Sequence, residues 1–224
     1  MLSLIPQKSD KLLDVGCGPI TNAYPYANRA KEAICTDWKL KTFGAIAENI
    51  TLLEGDFTSL ELPIESFDTV IAADVFEHVA LEQELAFIER CRAVLKPGGD
   101  LVLSVPHQGT FAWLDPYQVK PAIHRLLWRF GLFGRTHNGH CDIRKGHKHY
   151  TVNELATLFK DFEIARIVYS GYLFDPLLSW ATALSRGKGL FPGYNLLERA
   201  CKAEYNRDYG DRSFNVAVHF RKRS

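Results

Sequence analysis

The chain has 224 residues, of which 46% are hydrophobic and 24% charged, and its formal net charge at pH 7 is +1. This length can bury the core of one domain with insertions or a small cap, but not the cores of two full domains. The near-neutral charge excludes a global electrostatic attraction to nucleic acid or to an acidic partner, so any electrostatic argument must be regional.

Cysteine usage and the first residues bear on the compartment. The five cysteines are scattered and form no C-x-x-C pair: Cys17, Cys35, Cys91, Cys141 and Cys201. This usage is typical of reduced, intracellular proteins. Pro6 and Lys8 interrupt the start too early for a signal peptide, and no apolar run approaches the roughly 20 residues of a membrane span. We therefore expect a cytoplasmic protein, with peripheral membrane contact left open.

The organising stretch is residues 11–20, an apolar run that leads past Asp14 into a Gly16-x-Gly18 turn. The run has the pattern of a strand buried on both faces. The two glycines let the backbone bend sharply and approach a ligand that a Cβ would exclude. A lone G-x-G is also common in ordinary strand-to-helix turns, so the loop predicts a ligand only together with the motifs downstream.

Strand-like and helix-like segments alternate after this loop. The expected strands are 32–37, 50–56, 67–74, 100–105, 163–169 and 214–220. The expected helices are 22–30, 39–49, 81–95 and 151–159, the last opened by a Thr151–Glu154 capping box. Strands separated by helices predict an α/β fold with a doubly wound parallel sheet, whose ligands bind at the carboxyl ends of the strands.

Four acids follow the expected strands at that edge: Asp14, Asp37, Asp56 and Asp74. Asp37 follows the glycine loop at about the 20-residue spacing from which a carboxylate can accept hydrogen bonds from ribose hydroxyls. Any one of these acids could equally cap a turn, but four at one edge favour a nucleoside ligand. Residues 19–21 lack the third glycine of a dinucleotide loop, which disfavours a pyrophosphate site.

Five motifs stand in order along the first half: L-L-D-V-G-C-G-P at 12–19, Asp37, G-D-F at 55–57, F-D-T-V-I-A-A-D-V-F-E-H at 67–78 and L-K-P-G-G at 95–99. Together they resemble the class I methyltransferases that use S-adenosylmethionine (SAM), in particular the ubiquinone/menaquinone-biosynthesis and small-molecule group. The resemblance covers residues 10–107. It implies a Rossmann-like sheet of order 3-2-1-4-5-7-6 with strand 7 antiparallel.

The resemblance implies a role for each matched position. Asp14 would face the SAM ammonium, and the backbone of three loop residues would hold the amino-acid end: Gly16, Cys17 and Gly18. Ala73 and Asp74 would line the methionine end.

The same resemblance assigns the nucleoside end. Asp37 would take the ribose hydroxyls and Trp38 would lie against the adenine. Asp56 would accept from the adenine amino group, with Phe57 beside it.

Methyl transfer needs a base only where the acceptor must lose a proton, because the sulfonium already activates the methyl group. For an oxygen acceptor, His107 and His149 are candidate bases, and His78 is a third; each could instead be a structural histidine. No [DNS]-P-P-[FYW] motif follows the fourth strand, which argues against methylation of nucleobase amino groups. We therefore expect no specific nucleic-acid partner.

We expect a single domain over residues 1–224, with insertions at 108–150 and 171–212 that form a substrate lid. Only about ten residues precede the first strand, where this family usually has helices that close over SAM, so the lid role passes to the insertions. Residues 117–150 hold seven Lys and Arg against one acid, and 121–133 has the pattern of a basic amphipathic helix. Such a helix suits a membrane surface or an anionic lipid-linked substrate, or it only covers the pocket.

Histidines and a cysteine cluster late in the first insertion: His137, His140, Cys141, His147 and His149. Their spacing matches no closed zinc pattern and the intervening Lys and Arg would repel a cation, so we expect no metal ion. The overall prediction is a SAM-dependent methyltransferase acting on a small or lipid-linked, partly apolar acceptor, at oxygen. A non-catalytic SAM-binding module and a nicotinamide oxidoreductase stay as alternatives, and the sequence predicts no oligomeric state.

Overall fold

A computed structural model describes residues 1–21, 24–117, 126, 129–130, 136–137, 141–142, 147–184 and 193–223. The basic helix expected over 121–133 lies almost wholly outside these residues. His140 and the side chains of His137 and Cys141 lie outside them as well.

A seven-stranded sheet forms the centre of the described structure. Its strands are β1 (Ser9–Val15), β2 (Ala30–Asp37), β3 (Ile50–Glu54), β4 (Phe67–Ala73), β5 (Leu95–Pro106), β6 (Phe162–Ser170) and β7 (Asn215–Lys222). They lie in the order β3-β2-β1-β4-β5-β7-β6, and β7 is antiparallel to both of its neighbours. The expected sheet order is therefore confirmed.

Four α-helices have both ends within the described residues: α1 (Glu84–Val94), α2 (Val152–Leu158), α3 (Phe174–Leu184) and α4 (Tyr194–Tyr205). Short 3-10 turns cover Leu2–Leu4, Ala27–Arg29, Phe76–His78, Leu81–Gln83, Ala112–Leu114 and Gly210–Arg212. Two short strand pairs lie outside the main sheet, Pro19–Thr21 with Lys41–Phe43 and Thr136–His137 with Cys141–Asp142.

Both faces of the central strands are buried. Successive residues of a strand point to opposite faces, and in β1 Leu12 belongs to one hydrophobic cluster while Leu13 belongs to the other. Phe87 of α1 and Leu155 of α2 pack into the larger cluster. This burial explains why the parallel strands are continuous apolar runs, which is the pattern that predicted them.

The helix expected over 39–49 is wrong. Lys41–Phe43 instead pairs in parallel with Pro19–Thr21, and Gly44 takes a left-handed φ of +88°. A segment this short becomes helical mainly by packing an apolar face, yet Phe43 is 61% exposed. The expected helix over 22–30 is likewise reduced to a 3-10 turn, because β2 already begins at Ala30.

Two other boundaries differ from expectation. The strand expected at 100–105 begins earlier, at Leu95, because residues 96–99 form a bulge at which the pairing with β4 shifts register. The helix over 81–95 is present as a 3-10 turn followed by α1, and Leu85 in its first turn is exposed.

The capping box of α2 is confirmed and gives a stability prediction. Thr151 Oγ1 accepts from the Glu154 N–H at 3.2 Å, and Glu154 Oε2 accepts from the Thr151 N–H at 2.8 Å. We expect Thr151→Ala to lower the free energy of unfolding by about 1 kcal/mol in urea denaturation, the usual cost of losing such a cap. Thr157→Ala, at an exposed threonine of the same helix, is the control; an equal loss there would contradict the assignment to capping.

Candidate functional site

The glycine loop is anchored to the neighbouring strand β2. The N–H groups of Gly16 and Cys17 both donate to the Thr36 carbonyl, at 2.8 and 3.0 Å. Gly16 has a φ of +67°, and a Cβ built on it would lie 2.4 Å from Val75 Cγ2. Glycine is therefore required at this position for its conformation and for its size.

Asp37 is held at the same loop by two backbone donors. Its Oδ2 accepts from Gly18 N–H at 2.9 Å and its Oδ1 accepts from Lys39 N–H at 3.1 Å. These contacts fix the carboxylate at the end of β2, beside the glycine loop. The next side chain, Trp38, is 69% exposed, so its indole is accessible to a planar ligand.

Asp14 is buried beneath the loop, and its partner is a residue that the sequence did not single out. The Tyr24 hydroxyl donates to Asp14 Oδ2. Burial, opposed by the hydrogen bond from Tyr24 and reinforced by the nearby charge of Asp37, raises the pKa of Asp14 to about 7. No local pattern links Asp14 to Tyr24, because their contact depends on how the loop folds back.

A cavity of about 180 Å³ opens at this point. Of the predicted cofactor residues, four line it: Asp14, Gly16, Cys17 and Ala73. Tyr24 and Tyr26 complete its wall, with their rings packed edge to face at 5.2 Å between centroids. The structure thus brings four of the six residues expected at the amino-acid and methionine ends of SAM to one concave site, which Gly18 and Asp74 do not line.

Two of the predicted adenine residues make contacts of another kind. Asp56 Oδ1 accepts from the N–H and the hydroxyl of Thr58, at 2.9 and 2.8 Å, and so closes its own turn. The ring of Phe57 is buried in the core, 5.2 Å from that of Phe87. The Phe57 side chain therefore packs in the core, and the place of this residue beside the adenine stays a prediction.

Asp74 directly follows β4 in a strained conformation. Its φ is +53°, a left-handed value that is uncommon outside glycine and that concentrates at functional sites. Its Oδ1 accepts from the Ser104 hydroxyl at 2.9 Å, and burial raises its pKa. Burial also raises the pKa of Asp175 in α3 to about 6, with added contributions from carboxylates that include Asp74. The second insertion therefore reaches the same edge.

The three candidate bases occupy different environments. His107 is buried, with Nδ1 3.1 Å from the Ser213 carbonyl, and burial lowers its pKa. His149 is also buried, with Nδ1 2.8 Å from the His107 carbonyl and Nε2 2.8 Å from an Asp115 carboxylate oxygen. Neither imidazole reaches the surface in this conformation because both lie in the core below the edge. His78 is exposed, and its role as a base stays a prediction.

Asp115 is the centre of this histidine cluster and was missed in the sequence. His147 Nδ1 and His149 Nε2 both lie against its Oδ2, at 2.5 and 2.8 Å. Burial alone would raise the pKa of Asp115, but the contacts with His147 and His149 outweigh it and lower the pKa to about 2. The rings of His147 and His78 lie 5.2 Å apart, which connects the cluster to the exposed edge.

The described parts of the two insertions contact each other above this edge. Trp180 Nε1 of α3 donates to the Leu114 carbonyl at 2.6 Å, and the rings of Phe111 and Tyr172 pack at 4.9 Å. Trp113 remains 68% exposed beside them.

Within the described part of the chain, no helix is long and apolar enough to cross a membrane.

Comparisons with known proteins agree with this architecture. Residues 13–103 match the family described as "Methyltransferase domain". A "Ubiquinone biosynthesis O-methyltransferase" of Cereibacter sphaeroides is 28% identical over 189 residues, which covers 81% of this chain and 70% of that protein. A probable S-adenosylmethionine-dependent methyltransferase of Mycolicibacterium smegmatis is 31% identical over 104 residues, 45% of this chain and 40% of that one.

Solved structures extend the likeness to the whole chain. A putative sarcosine dimethylglycine methyltransferase from Galdieria sulphuraria superposes with a TM-score of 0.53 at 18% identity, covering 99% of this chain and 81% of that one. The 1,6-didemethyltoxoflavin-N1-methyltransferase of Burkholderia thailandensis, solved with S-adenosylhomocysteine, gives 0.54 at 14% identity, covering 97% and 72%. At these identities the likeness establishes the fold alone.

Proposed function

We propose that this chain, a class I SAM-dependent methyltransferase, transfers the methyl group to an oxygen atom of a small, partly apolar acceptor. Support for oxygen comes from the relatives named as O-methyltransferases, which are 28% identical to this chain over most of its length. Residues 74–77, Asp-Val-Phe-Glu, also differ from the motif that serves nucleobase amino groups.

The observation that carries the proposal is the arrangement of the edge around Asp74. The cavity holds the buried carboxylate of Asp14, and after the neighbouring strand β5 the rings of Phe111 and Tyr172, one from each insertion, pack together, with Trp113 exposed. A polar pocket for the amino-acid end of SAM beside an aromatic wall favours an acceptor with an apolar body. A lipid-linked acceptor is the extreme case of that class.

We propose the following division of roles for SAM. The Asp14 carboxylate pairs with the ammonium, and the backbone of residues 16–18, whose N–H groups donate to Thr36 and Asp37, lines the amino-acid end. Asp37 binds the ribose hydroxyls, and the exposed indole of Trp38 stacks on the adenine. SAM supplies an activated methyl group, so the protein has mainly to align the acceptor oxygen and exclude water.

Methyl-labelled SAM, incubated with the protein and fractionated cell extract, tests this function. We expect label to enter a small organic-extractable product, and mass spectrometry to place the new methyl group on oxygen. The Asp37→Ala variant is the matched control, since it keeps the acceptor surface and removes a proposed SAM contact. SAM binding without transfer to any fraction would indicate a non-catalytic module, and label on nitrogen would refute the choice of oxygen.

The raised pKa of Asp14 predicts a pH dependence of SAM binding. Below a pKa of about 7 the carboxyl group is neutral and cannot pair with an ammonium. Between pH 8 and pH 6 the affinity for SAM should therefore fall about tenfold through Asp14 alone, as the ionised fraction falls. Calorimetric titration of the wild type and of Asp14→Asn isolates this effect, because titration of SAM itself contributes equally to both. Parallel pH profiles would contradict it.

A further inference from the structure

The Asp115 cluster brings together groups from the two ends of the first insertion. Asp115 lies nine residues after β5, while His147 and His149 come just before α2. Their rings and carboxylate are largely buried, with side-chain exposures of 2% for Asp115, 12% for His147 and 0% for His149. One atom from each, Asp115 Oδ2 and two imidazole nitrogens, lie within 4.8 Å of one another.

The hydrogen bonds of a neutral His149 leave its contact with Asp115 without a donor. Its Nδ1 lies 2.8 Å from the His107 carbonyl oxygen, which can only accept, so Nδ1 carries the hydrogen. In a neutral imidazole the other nitrogen, Nε2, is then an acceptor, yet it faces the Asp115 carboxylate at 2.8 Å. Two acceptors do not attract each other, so a proton or a metal ion must lie between Nε2 and the carboxyl oxygen.

The buried carboxylate of Asp115 also needs a partner that balances its charge. Asp115 is almost fully buried, and a buried carboxylate needs a compensating charge. Among the described residues, no lysine or arginine forms an ion pair with Asp115, whose close partners there are the rings of His147 and His149. A second buried carboxyl side chain, Glu77, lies 3.7 Å from His147 Nε2.

We propose that Asp115, His147 and His149 bind a divalent transition-metal ion of the zinc type. The ligand atoms are Asp115 Oδ2, His147 Nδ1 and His149 Nε2. Imidazole with carboxylate is a set that suits zinc, whereas magnesium prefers oxygen ligands throughout. Three protein ligands leave one position of a tetrahedral site exchangeable, which is the pattern of catalytic rather than closed structural sites.

The surrounding contacts match the environment of a metal-bound histidine. Such histidines direct their second ring nitrogen to a carbonyl or carboxylate. His149 Nδ1 faces the His107 carbonyl, and His147 Nε2 faces Glu77. Ligand atoms around zinc lie about 3.3 Å apart when the bonds are about 2.0 Å, so binding requires Asp115 Oδ2 to separate from each nitrogen by less than about 1 Å.

The ion would join the two ends of the first insertion, which backbone hydrogen bonds already hold together. Gln108 N–H donates to the Tyr150 carbonyl at 3.1 Å, and Tyr150 N–H donates to the Pro106 carbonyl at 2.9 Å. A metal bound here stabilises the folded chain by mass action, since the unfolded chain has no such preformed site. This inference depends neither on the identity of the acceptor nor on oxygen as the methylated atom.

Calorimetric titration of the tag-free, chelator-treated full chain with Zn²⁺ tests the site, and Co²⁺ absorption gives a second readout of the ligand geometry. We expect one ion per chain with submicromolar affinity and a higher melting temperature with Zn²⁺ than after chelation. Asp115→Asn and His149→Gln should weaken binding at least 100-fold. His219→Gln, at a half-buried histidine–aspartate pair with a 2.7 Å contact to Asp100, should leave it unchanged.

The affinity of the same samples for SAM shows that each protein is folded, and it separates this test from that of the proposed function. Wild-type protein that binds SAM but takes up no Zn²⁺ or Co²⁺ would overturn the proposal, and a proton would then join His149 to Asp115. Equal loss in His219→Gln would also overturn it. Loss of acceptor methylation with intact metal binding would refute the proposed function alone.

Discussion

Replacement of Gly16 by alanine is expected to weaken SAM binding at least about 100-fold while the chain still folds. A left-handed φ costs an alanine about 1–2 kcal/mol, and the new Cβ would lie 2.4 Å from Val75 Cγ2, a contact that adds about 1–3 kcal/mol. The loop can relieve both only by changing its conformation. That change moves the peptide groups of residues 16–18 away from the cavity and from Asp37.

Two further variants separate the causes of this loss. Gly44 also has a left-handed φ, of +88°, but nothing lies within 4 Å of a Cβ built there, so Gly44→Ala should leave SAM affinity unchanged. Val75→Ala combined with Gly16→Ala removes the steric contact and keeps the strain, and should restore binding in part. Calorimetry with SAM and with S-adenosylhomocysteine measures all four proteins. A Gly16→Ala affinity within threefold of wild type would refute the role of the loop.

Replacement of Gly109 by alanine is expected to destabilise the fold by about 3 kcal/mol or more. A Cβ at this position would lie 1.9 Å from the Ser213 carbonyl oxygen and 2.6 Å from that of Arg212. Both are backbone atoms, so no side-chain rotation relieves the overlap. The two segments are also bonded to each other, His107 N–H to the Phe214 carbonyl at 2.7 Å and Thr110 N–H to the Arg212 carbonyl at 3.2 Å.

Urea denaturation of Gly109→Ala measures this cost, with Gln108→Ala at the exposed neighbouring position as the control. We expect the control to lie within about 0.5 kcal/mol of wild type, as is usual for exposed substitutions. If Gly109→Ala and the control had equal free energies of unfolding, residues 107–110 would have to lie farther from residues 212–214 than they do in the structure.

The sheet and the glycine loop follow from local patterns. Strands such as 67–73 are buried on both faces and therefore appear as continuous apolar runs, and a parallel sheet places the residues that follow them at one edge. Asp14, Asp37 and Gly16 were predicted from this reasoning, because their positions depend only on where a strand ends.

Elements that needed a packing partner were predicted less well. The segment 39–49 has apolar residues at helical spacing, but no surface covers them, so the periodicity did not produce a helix. Phe57 is the last residue of the G-D-F motif, which lies at the edge of the sheet where a ligand is expected, yet its ring packs on that of Phe87 in the core. In both cases the sequence shows the spacing of apolar residues but not the surface that receives them.

The amino-acid sequence alone specifies the buried strands, the glycine loop and the acids at the sheet edge, since each of these depends on residues close along the chain. The strand order and SAM were implied by the resemblance that the five motifs carry. Only the folded chain places Tyr24 on Asp14, Gly109 against Ser213, and Asp115 between His147 and His149. These contacts join segments that are ten to more than a hundred residues apart. Their geometry depends on how the insertions cross the sheet edge, and no local spacing encodes that crossing.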